Sequence, residues 1–403
     1  MADCGSSPQP RALVFGAGSV GRGFLGQLFS ESGYEVVFVD VDDALLAALT
    51  ARGAYTLRLA GVTGVRELEI GPVSAVDGRD SDAVAAEVAQ AAVIATAVGV
   101  RALGAIAKPI AQGLLVRWEQ REPADVPAEV NVIICENLHD APEVLGGSIQ
   151  EALPERARPS MAAHLGLVPA VIARMSPVPT AAQRAEDPTL IVAEPYKVLP
   201  VDRDAFVGNI PSIVGMHAVA RFEAYTDRKL YIHNAGHALL GYLGAARGHT
   251  YGYEAIEDDW VRQRLYEGLA ESARALVAMH GFEPVSFQEH IDYLLVRFAN
   301  RALADPVSRL ARDPLRKLRP DDRLVGSARL VERCGMRPEG LAWGIAGALA
   351  YVNPEDEHAV ALQQQVREQG VTAVLEEVCR IEASEALGEL LRARYAQLNE
   401  AGR

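Results

Sequence analysis

The sequence predicts two dissimilar domains, an N-terminal doubly wound α/β sheet and a C-terminal all-helical domain. Three observations predict this. A glycine turn joins an apolar run to a helical one near the N-terminus. Strand-like and helical runs alternate through the first half, whereas helical periodicity alone continues beyond about residue 215. The chain has 403 residues, more than one ordinary core holds. The expected division is a flexible tail over 1–10, an α/β domain over 11–200 and a helical domain over 201–403.

The tail has neither a basic flank nor an apolar core, so it does not read as a secretory signal. Ala12 to Phe15 is the first strand, followed by Gly16-Ala-Gly-Ser-Val-Gly21 and a helical run to Glu31. Gly16 permits the tight turn, Gly18 lets backbone approach a pyrophosphate, and Gly21 lets the helix pack on the strand. Ser19 and Val20 complete the loop, where a helix N-terminus offers free N–H groups to phosphate. This is the fingerprint of a Rossmann-type dinucleotide-binding sheet. The second strand, Glu35 to Asp40, ends in an acid about 20 residues further on. Asp40 is placed to bond the adenine ribose hydroxyls and to repel a 2′-phosphate, which predicts NAD over NADP.

Tyr55–Leu59 and Val65–Ile70 read as a β-hairpin around Gly61. Ala91 to Gly99 is a buried strand entering a small-residue turn, so Thr96 and Val98 fall at the sheet edge where open α/β folds bind ligands. Val130 to Asn137 is another strand, and it ends in Glu136 and Asn137. Asn137 is either a site residue beside the nicotinamide or a helix cap. Leu190 to Leu199 is extended and closes the domain, with Pro200 and Gly208-Asn-Ile-Pro211 marking the change. Helices are predicted over 255–279, 287–300, 306–317, 321–334, 339–351 and 356–368, with breaks at Gly281, Pro284, Pro320, Pro338 and Pro354.

Composition narrows the function. The net charge is −14, from 39 basic and 53 acidic side chains, which opposes non-specific nucleic-acid binding. No apolar run reaches the roughly 18 residues of a membrane span. Cys4, Cys135, Cys334 and Cys379 show no C-x-x-C spacing and read as reduced thiols of a cytoplasmic protein. Oligomeric state is left open.

Lys229, Asn234 and His237 stand in one helical stretch. On an α-helix Asn234 and His237 are i,i+3 neighbours and Lys229 lies further along the same side. An amine, an amide and an imidazole then converge on one oxygen, as a metal-free dehydrogenase requires. His233 and His237 are four apart, but no Glu lies between them and no third zinc ligand is evident. A free lysine titrates near about 10.4 and is a poor base at neutral pH. Burial between the two domains and a neighbouring nicotinamide cation would both favour the neutral amine.

The loop Gly16 to Gly23, Thr96-Ala-Val-Gly99, Cys135-Glu-Asn137, Arg228-Lys-Leu with Asn234 and His237, and Asp313-Pro-Leu-Arg-Lys-Leu318 with Asp322-Arg-Leu324 together resemble the polyol-specific long-chain dehydrogenases. The resemblance implies NAD, no zinc, and reversible oxidation of D-mannitol 1-phosphate to D-fructose 6-phosphate. It implies Lys229 as acid/base, Asn137 and Asn234 polarising the reacting oxygen, and His237 positioning it. One departure is evident. Where the family pattern carries Val-Asp-Arg, this chain reads Val171-Ile-Ala-Arg174, so the acid is missing. Glu194 to Pro200 also differs from the family pattern.

A sugar phosphate needs cations. Arg309, Arg312, Arg316, Lys317, Arg319 and Arg323 form the densest basic cluster, and Arg316, Lys317 and Arg323 lie in the family-like segment. The alternative is salt bridging to Asp313, Asp321 and Asp322. Two rival functions stay open: a dehydrogenase or reductase of an unphosphorylated polyol, ketose or hexuronate, and a non-catalytic NAD-sensing regulator.

Overall fold

The computed structural model describes residues 9–119, 126–177 and 179–401, so nearly all of the expected tail, with Cys4, lies outside the described residues. The chain divides into two compact units, the first ending at Phe222 and the second beginning at Glu223.

The first unit carries the strands β1 (Arg11–Phe15), β2 (Glu35–Asp40), β3 (Tyr55–Gly61), β4 (Gly64–Ile70), β5 (Val73–Asp77), β6 (Val93–Thr96), β7 (Val130–Ile134), β8 (Leu165–Pro169), β9 (Ile191–Ala193), β10 (Leu199–Asp202) and β11 (Met216–Val219). Six of them form a parallel sheet in the order β5-β2-β1-β6-β7-β8. Strand order reverses between β1 and β6, and that switch point is where a doubly wound sheet opens a crevice at its carboxyl edge. Both faces are covered. Ala12, Val14, Val36 and Phe38 enter one apolar cluster, while Leu13, Phe15, Val37 and Val39 enter the other. Alternation along each strand sends neighbours to opposite faces, so two-sided burial demands the near-continuous apolar runs seen in β1 and β2.

The expected hairpin is β3–β4, closed by Gly61 opposite Gly64. It forms a separate three-stranded sheet with β9, where Leu57 pairs with Ile191. The first unit runs past residue 200 because β10 pairs with β11 and the Val171 N–H donates to Pro200 O at 2.9 Å.

Every regular element after Glu223 is helical among the described residues. Ala235–Ala246 and Glu339–Ala350 are the most deeply buried helices. Several sequence-predicted helices are cut differently. The run over 255–279 is two helices, Gly252–Glu257 and Asp259–His280, because Asp258 turns extended and caps the second. The run over 306–317 splits into Val307–Ala311 and Pro314–Lys317, with Asp313 left-handed at φ 61° between them. The helix expected from 321 begins at Val325. Val371–Glu377 and Ala386–Ala401 are helices that the periodicity did not single out.

Asp258 is the joint of this unit. Its carboxylate accepts from the Trp260 and Val261 N–H groups and from Arg247, and it meets His249 at 3.1 Å. Burial works against the ion, but these bonds outweigh it and hold the pKa at about 2. The carboxyl therefore stabilises the fold above its ordinary value, and that stability disappears as pH falls through about 4 towards 2. Asp258→Ala is expected to cost about 1–2 kcal/mol in denaturant unfolding at pH 7. The deficit relative to the parent should shrink on acidification. A deficit that is the same at pH 7 and pH 2.5 would refute the assignment.

Candidate active site

The glycine loop is held by contacts that leave no room for side chains. A Cβ on Gly16, whose φ is +93°, would stand 2.3 Å from Ala97 O, and one on Gly21 would stand 1.9 Å from Gly16 O. Gly18 is the opposite case: nothing lies within 4 Å of its would-be Cβ, and the residue is exposed. Backbone is therefore presented to open space at the one position where a pyrophosphate needs it. Ser19 and Val20 are half-buried and lead into a widened first helical turn, Gly21–Leu25, in which the Leu25 N–H reaches back five residues to Val20 O at 3.0 Å.

Asp40 ends β2 beside this loop. Its Oδ2 accepts from Ala17 N–H at 2.6 Å and its Oδ1 from Val41 N–H at 2.7 Å. A cavity of about 340 Å³ opens here, walled by Gly16, Gly18, Asp40, Val41, Val98 and Ile106. That volume and its mainly aliphatic wall suit an adenosine. Val98 lines it directly. Thr96 is fully buried at the end of β6, so its side chain stands behind the wall and not at the surface. Glu136 shapes the same wall by accepting from the Val98 and Gly99 N–H groups, each at 2.9 Å. Asn137, the next residue, is exposed in a bend before the helix Ala141–Ala152, whose N-cap position is Asp140, without a side-chain capping bond.

In the second unit Lys229, Asn234 and His237 do not lie on a regular α-helix. Lys229–Asn234 is a π-helical turn, with the Ala235 N–H bonded to Leu230 O, and the α-helix starts only at Ala235. The i→i+5 pairing makes residues five apart near neighbours, so Lys229 and Asn234 come together more directly than the α-helical offsets imply. All three side chains are half-buried. His237 lies against Phe298, ring centroids 4.5 Å apart, and meets the edge of His233 at 4.7 Å.

The charge around them decides their protonation. Burial, then His237, Arg297 and Lys229, drive the His233 pKa well below its ordinary value. Burial, then Arg309, Arg297, Lys317 and Arg323, do the same to His237. His290, half-buried and near Arg228 and Arg297, has its pKa lowered to about 3 by burial and then by those two cations. These imidazoles are neutral at pH 7.

The same list of cations shows how far the expected phosphate cluster reaches the site. Lys317 and Arg323 act on His237, but Arg316 is spent on carboxylates, at 2.7 Å from Asp313 and 3.6 Å from Asp322. Arg323 also holds Asp322, at 2.7 Å. The salt-bridge alternative is thus realised for both arginines. Lys317 differs. It is 4% exposed, donates to the Leu310 carbonyl, stands 5.5 Å over the Tyr242 ring, and has its pKa brought down to about 7 by burial and by Arg323 and Arg316. Among the described residues no group of three His, Cys, Asp or Glu could hold a metal, and no helix is long and apolar enough to cross a membrane.

Comparison with known proteins places the chain. The mannitol dehydrogenase Rossmann domain matches residues 10–215 and the mannitol dehydrogenase C-terminal domain matches residues 221–399. The chain belongs to the mannitol dehydrogenase family. Mannitol-1-phosphate 5-dehydrogenase of Bacillus pumilus (strain SAFR-032) is 37% identical over 94% of this chain and 97% of its own length. The enzyme of that name from Bacillus subtilis (strain 168) is 36% identical over 96% and 100%. Two solved structures share the fold. Pseudomonas fluorescens mannitol 2-dehydrogenase, in ternary complex with NAD and D-mannitol, is 19% identical with a TM-score of 0.71, covering 98% of this chain and 93% of its own. A substrate-free D-sorbitol dehydrogenase is 16% identical with a TM-score of 0.80, covering 98% and 94%.

Within this mannitol dehydrogenase family member, the two segments read from the sequence as departing from the family pattern are tied together by Arg174. Arg174 is buried, donates to Glu194 O at 2.6 Å and Gln27 Oε1 at 2.8 Å, and lies over the Phe24 ring. The Glu194 carboxylate in turn accepts from Met175 N–H at 2.6 Å. Sequence reading missed Arg297 and Phe298, which flank the imidazoles from a helix more than fifty residues away (Pro284–Phe298). A buried arginine beside a buried phenylalanine on an otherwise amphipathic helix was the only signal for them.

Asp40→Ala is expected to weaken NAD binding and to narrow the NAD/NADP preference, since the substitution removes the carboxylate at the end of β2 and with it the anchor of Ala17. Fluorescence titration with NADH and NADPH reads both effects; an unchanged preference would exclude Asp40 as the discriminating group.

Proposed function

We propose that this chain catalyses the NAD-dependent, metal-independent, reversible oxidation of D-mannitol 1-phosphate to D-fructose 6-phosphate. The observation that carries the reading is the π-helical turn that runs from Lys229 to Asn234 next to imidazoles held neutral, in a chain whose relatives at 36–37% identity bear the name of that activity.

The glycine loop, Asp40 and the cavity between them fit an adenine dinucleotide, whose nicotinamide supplies the hydride acceptor. Lys229 takes the proton of the substrate hydroxyl and returns it in the reduction direction. The neighbouring imidazoles are held neutral and so do not compete as cations for the developing alkoxide. Asn234 and Asn137 donate amide N–H bonds to that oxygen, and losing one such donor typically costs about 3 kcal/mol of transition-state stabilisation. His237, fixed against Phe298, orients the oxygen. Lys317, with Arg297 acting on the same imidazole, supplies the positive charge for the substrate phosphate.

A second reading is favoured by one observation. Arg316 and Arg323 already hold Asp313 and Asp322, which leaves fewer cations for a phosphate than the sequence promises. On that reading the substrate is an unphosphorylated polyol or ketose. Comparing kcat/KM for fructose 6-phosphate with that for fructose, by NADH consumption, decides between them.

Lys229→Ala is expected to lower kcat by several orders of magnitude while NADH titration shows cofactor binding intact. Near-normal turnover would rule out the proposed base.

A second test uses Lys317. Its folded-state pKa of about 7 means that the ammonium is lost as pH rises through that value. The dissociation constant for fructose 6-phosphate should therefore rise from pH 6 to pH 9, and Lys317→Met should raise it at pH 6 and flatten the profile. A parent enzyme whose affinity is constant over this range would remove Lys317 from the phosphate site.

A further inference from the structure

Arg22 is a buried cation of the first unit for which the oxidation itself has no use. It is 7% exposed, and its side chain bonds two carbonyls: Nε donates to Ala17 O at 2.5 Å and Nη1 to Thr189 O at 2.5 Å. Burial lowers its pKa, while Tyr55, Asp40 and Asp187 act in the opposite sense. A guanidinium stays protonated even so. Its positive charge therefore sits inside the fold with no carboxylate in ion-pair contact among the described residues, an arrangement that is unfavourable unless something else supplies the negative charge.

The place of that charge is informative. Ala17 is gripped on both sides, its N–H by Asp40 Oδ2 at 2.6 Å and its carbonyl by Arg22. A trans peptide is planar, and its C=O and N–H point in opposite directions. Drawing Ala17 O towards the buried guanidinium therefore turns the Gly18 N–H the other way. That way is open, for Gly18 is exposed and nothing lies within 4 Å of its would-be Cβ. The Arg22 N–H also bonds Gly18 O at 3.0 Å, and Tyr55 Oη donates to Arg22 O at 2.6 Å, so the residue is fixed through backbone as well as side chain.

We propose that Arg22 is a positioning residue for the pyrophosphate of the dinucleotide, holding the Ala17–Gly18 peptide with its N–H turned outward and setting a positive charge behind the phosphates. The inference rests on the dinucleotide reading of the cavity. Arginine suits the task because one planar fork meets carbonyls of two separate segments, the loop and the approach to β9; a lysine ammonium has no such fixed geometry.

The test compares ligands that share the adenosine cavity and differ in phosphate. Isothermal titration of the parent, Arg22→Met and Arg22→Lys with NAD, ADP-ribose and adenosine separates the roles. Arg22→Met is expected to lose about 10- to 100-fold in affinity for NAD and ADP-ribose, the span of one charge-assisted hydrogen bond, while adenosine binds as it does to the parent. Arg22→Lys should fall between the two, and added salt should weaken ADP-ribose binding more in the parent than in Arg22→Met. If Arg22→Met does not fold, Arg22→Lys carries the comparison, with a several-fold loss on ADP-ribose and none on adenosine. Equal losses on all three ligands would reduce Arg22 to a structural tie, and parent-like ADP-ribose binding in the variant would end the proposal. A parent that binds adenosine but neither dinucleotide ligand would instead overturn the cofactor reading beneath it.

Discussion

Three backbone segments of the first unit share a volume that only glycine leaves free. The turn after β1, the helical turn that follows it and the loop after β6 approach until a methyl group on Gly16 or Gly21 would overlap a carbonyl oxygen. This close approach decides what the cofactor half can be. It brings Ala97 against the glycine loop, so the end of β6 becomes one wall of the adenosine cavity and the end of β2 the other. Side chains then lock what the backbone has brought together. Asp40 ties β2 to Ala17, and Glu136, two residues beyond β7, ties that segment to Val98 and Gly99. Each carboxylate accepts backbone N–H groups at a strand end, where a sheet has donors left over. The rim of the crevice is stiff because its hydrogen bonds are made within the protein.

Both units widen a helix by one residue where chemistry is expected. One π-helical turn follows the glycine loop and the other begins at Lys229. Such a turn has poorer bond geometry than an α-helix and persists only where its surroundings support it. The support is visible in each case. Tyr55, fully buried, donates to Arg22 O in the first. In the second, Ile232 and His233 are buried and the first α-helical turn carries Gly236, where a Cβ would stand 2.9 Å from the Phe298 ring. The extra residue turns the side chains on either side of it. Lys229 and Asn234 are the first and last residues of that turn, and His237 continues on the regular helix.

The cofactor half was legible because its constraints are local. Glycine spacing, an apolar run before it and an acid at the end of the next strand are all fixed by backbone geometry within about thirty residues. The hairpin of β3 and β4 was legible for the same reason. The π turn was not, since its residues carry no periodicity distinct from an α-helix of the same composition. The break at Asp258 was hidden inside an unbroken apolar pattern, although Asp at a helix start is a common cap. Asp313 takes a left-handed conformation that glycine or asparagine more often signals. Lys229, Asn234 and His237 were found because they are near one another in sequence; Arg297 and Phe298 were not, because only tertiary packing brings them to the imidazoles. The basic segment over 309–323 was legible as charge but not as partners. Whether an arginine meets a phosphate or an aspartate depends on side-chain direction, which spacing does not determine.

The electrostatics of the second unit set the order of events on the proposed reading. Two imidazoles stand beside the lysine, and a histidine is ordinarily the better proton carrier at neutral pH. Here burial first, and then the surrounding cations, remove that option. Arg309, Arg297, Lys317 and Arg323 all oppose a charge on His237, and Lys229 itself opposes one on His233. With the imidazoles held neutral, the lysine is the group of the cluster left to exchange a proton with the substrate. An arriving phosphate would neutralise part of the surrounding positive charge and ease the constraint on His237, so the protonation of the site and the occupation of its phosphate subsite are linked. An unphosphorylated sugar brings no such compensation and leaves the field as it is. On the proposed reading the cations that would meet the phosphate also add to the effect of burial on the imidazoles, so a change at one of them is expected to act on recognition and on proton transfer together.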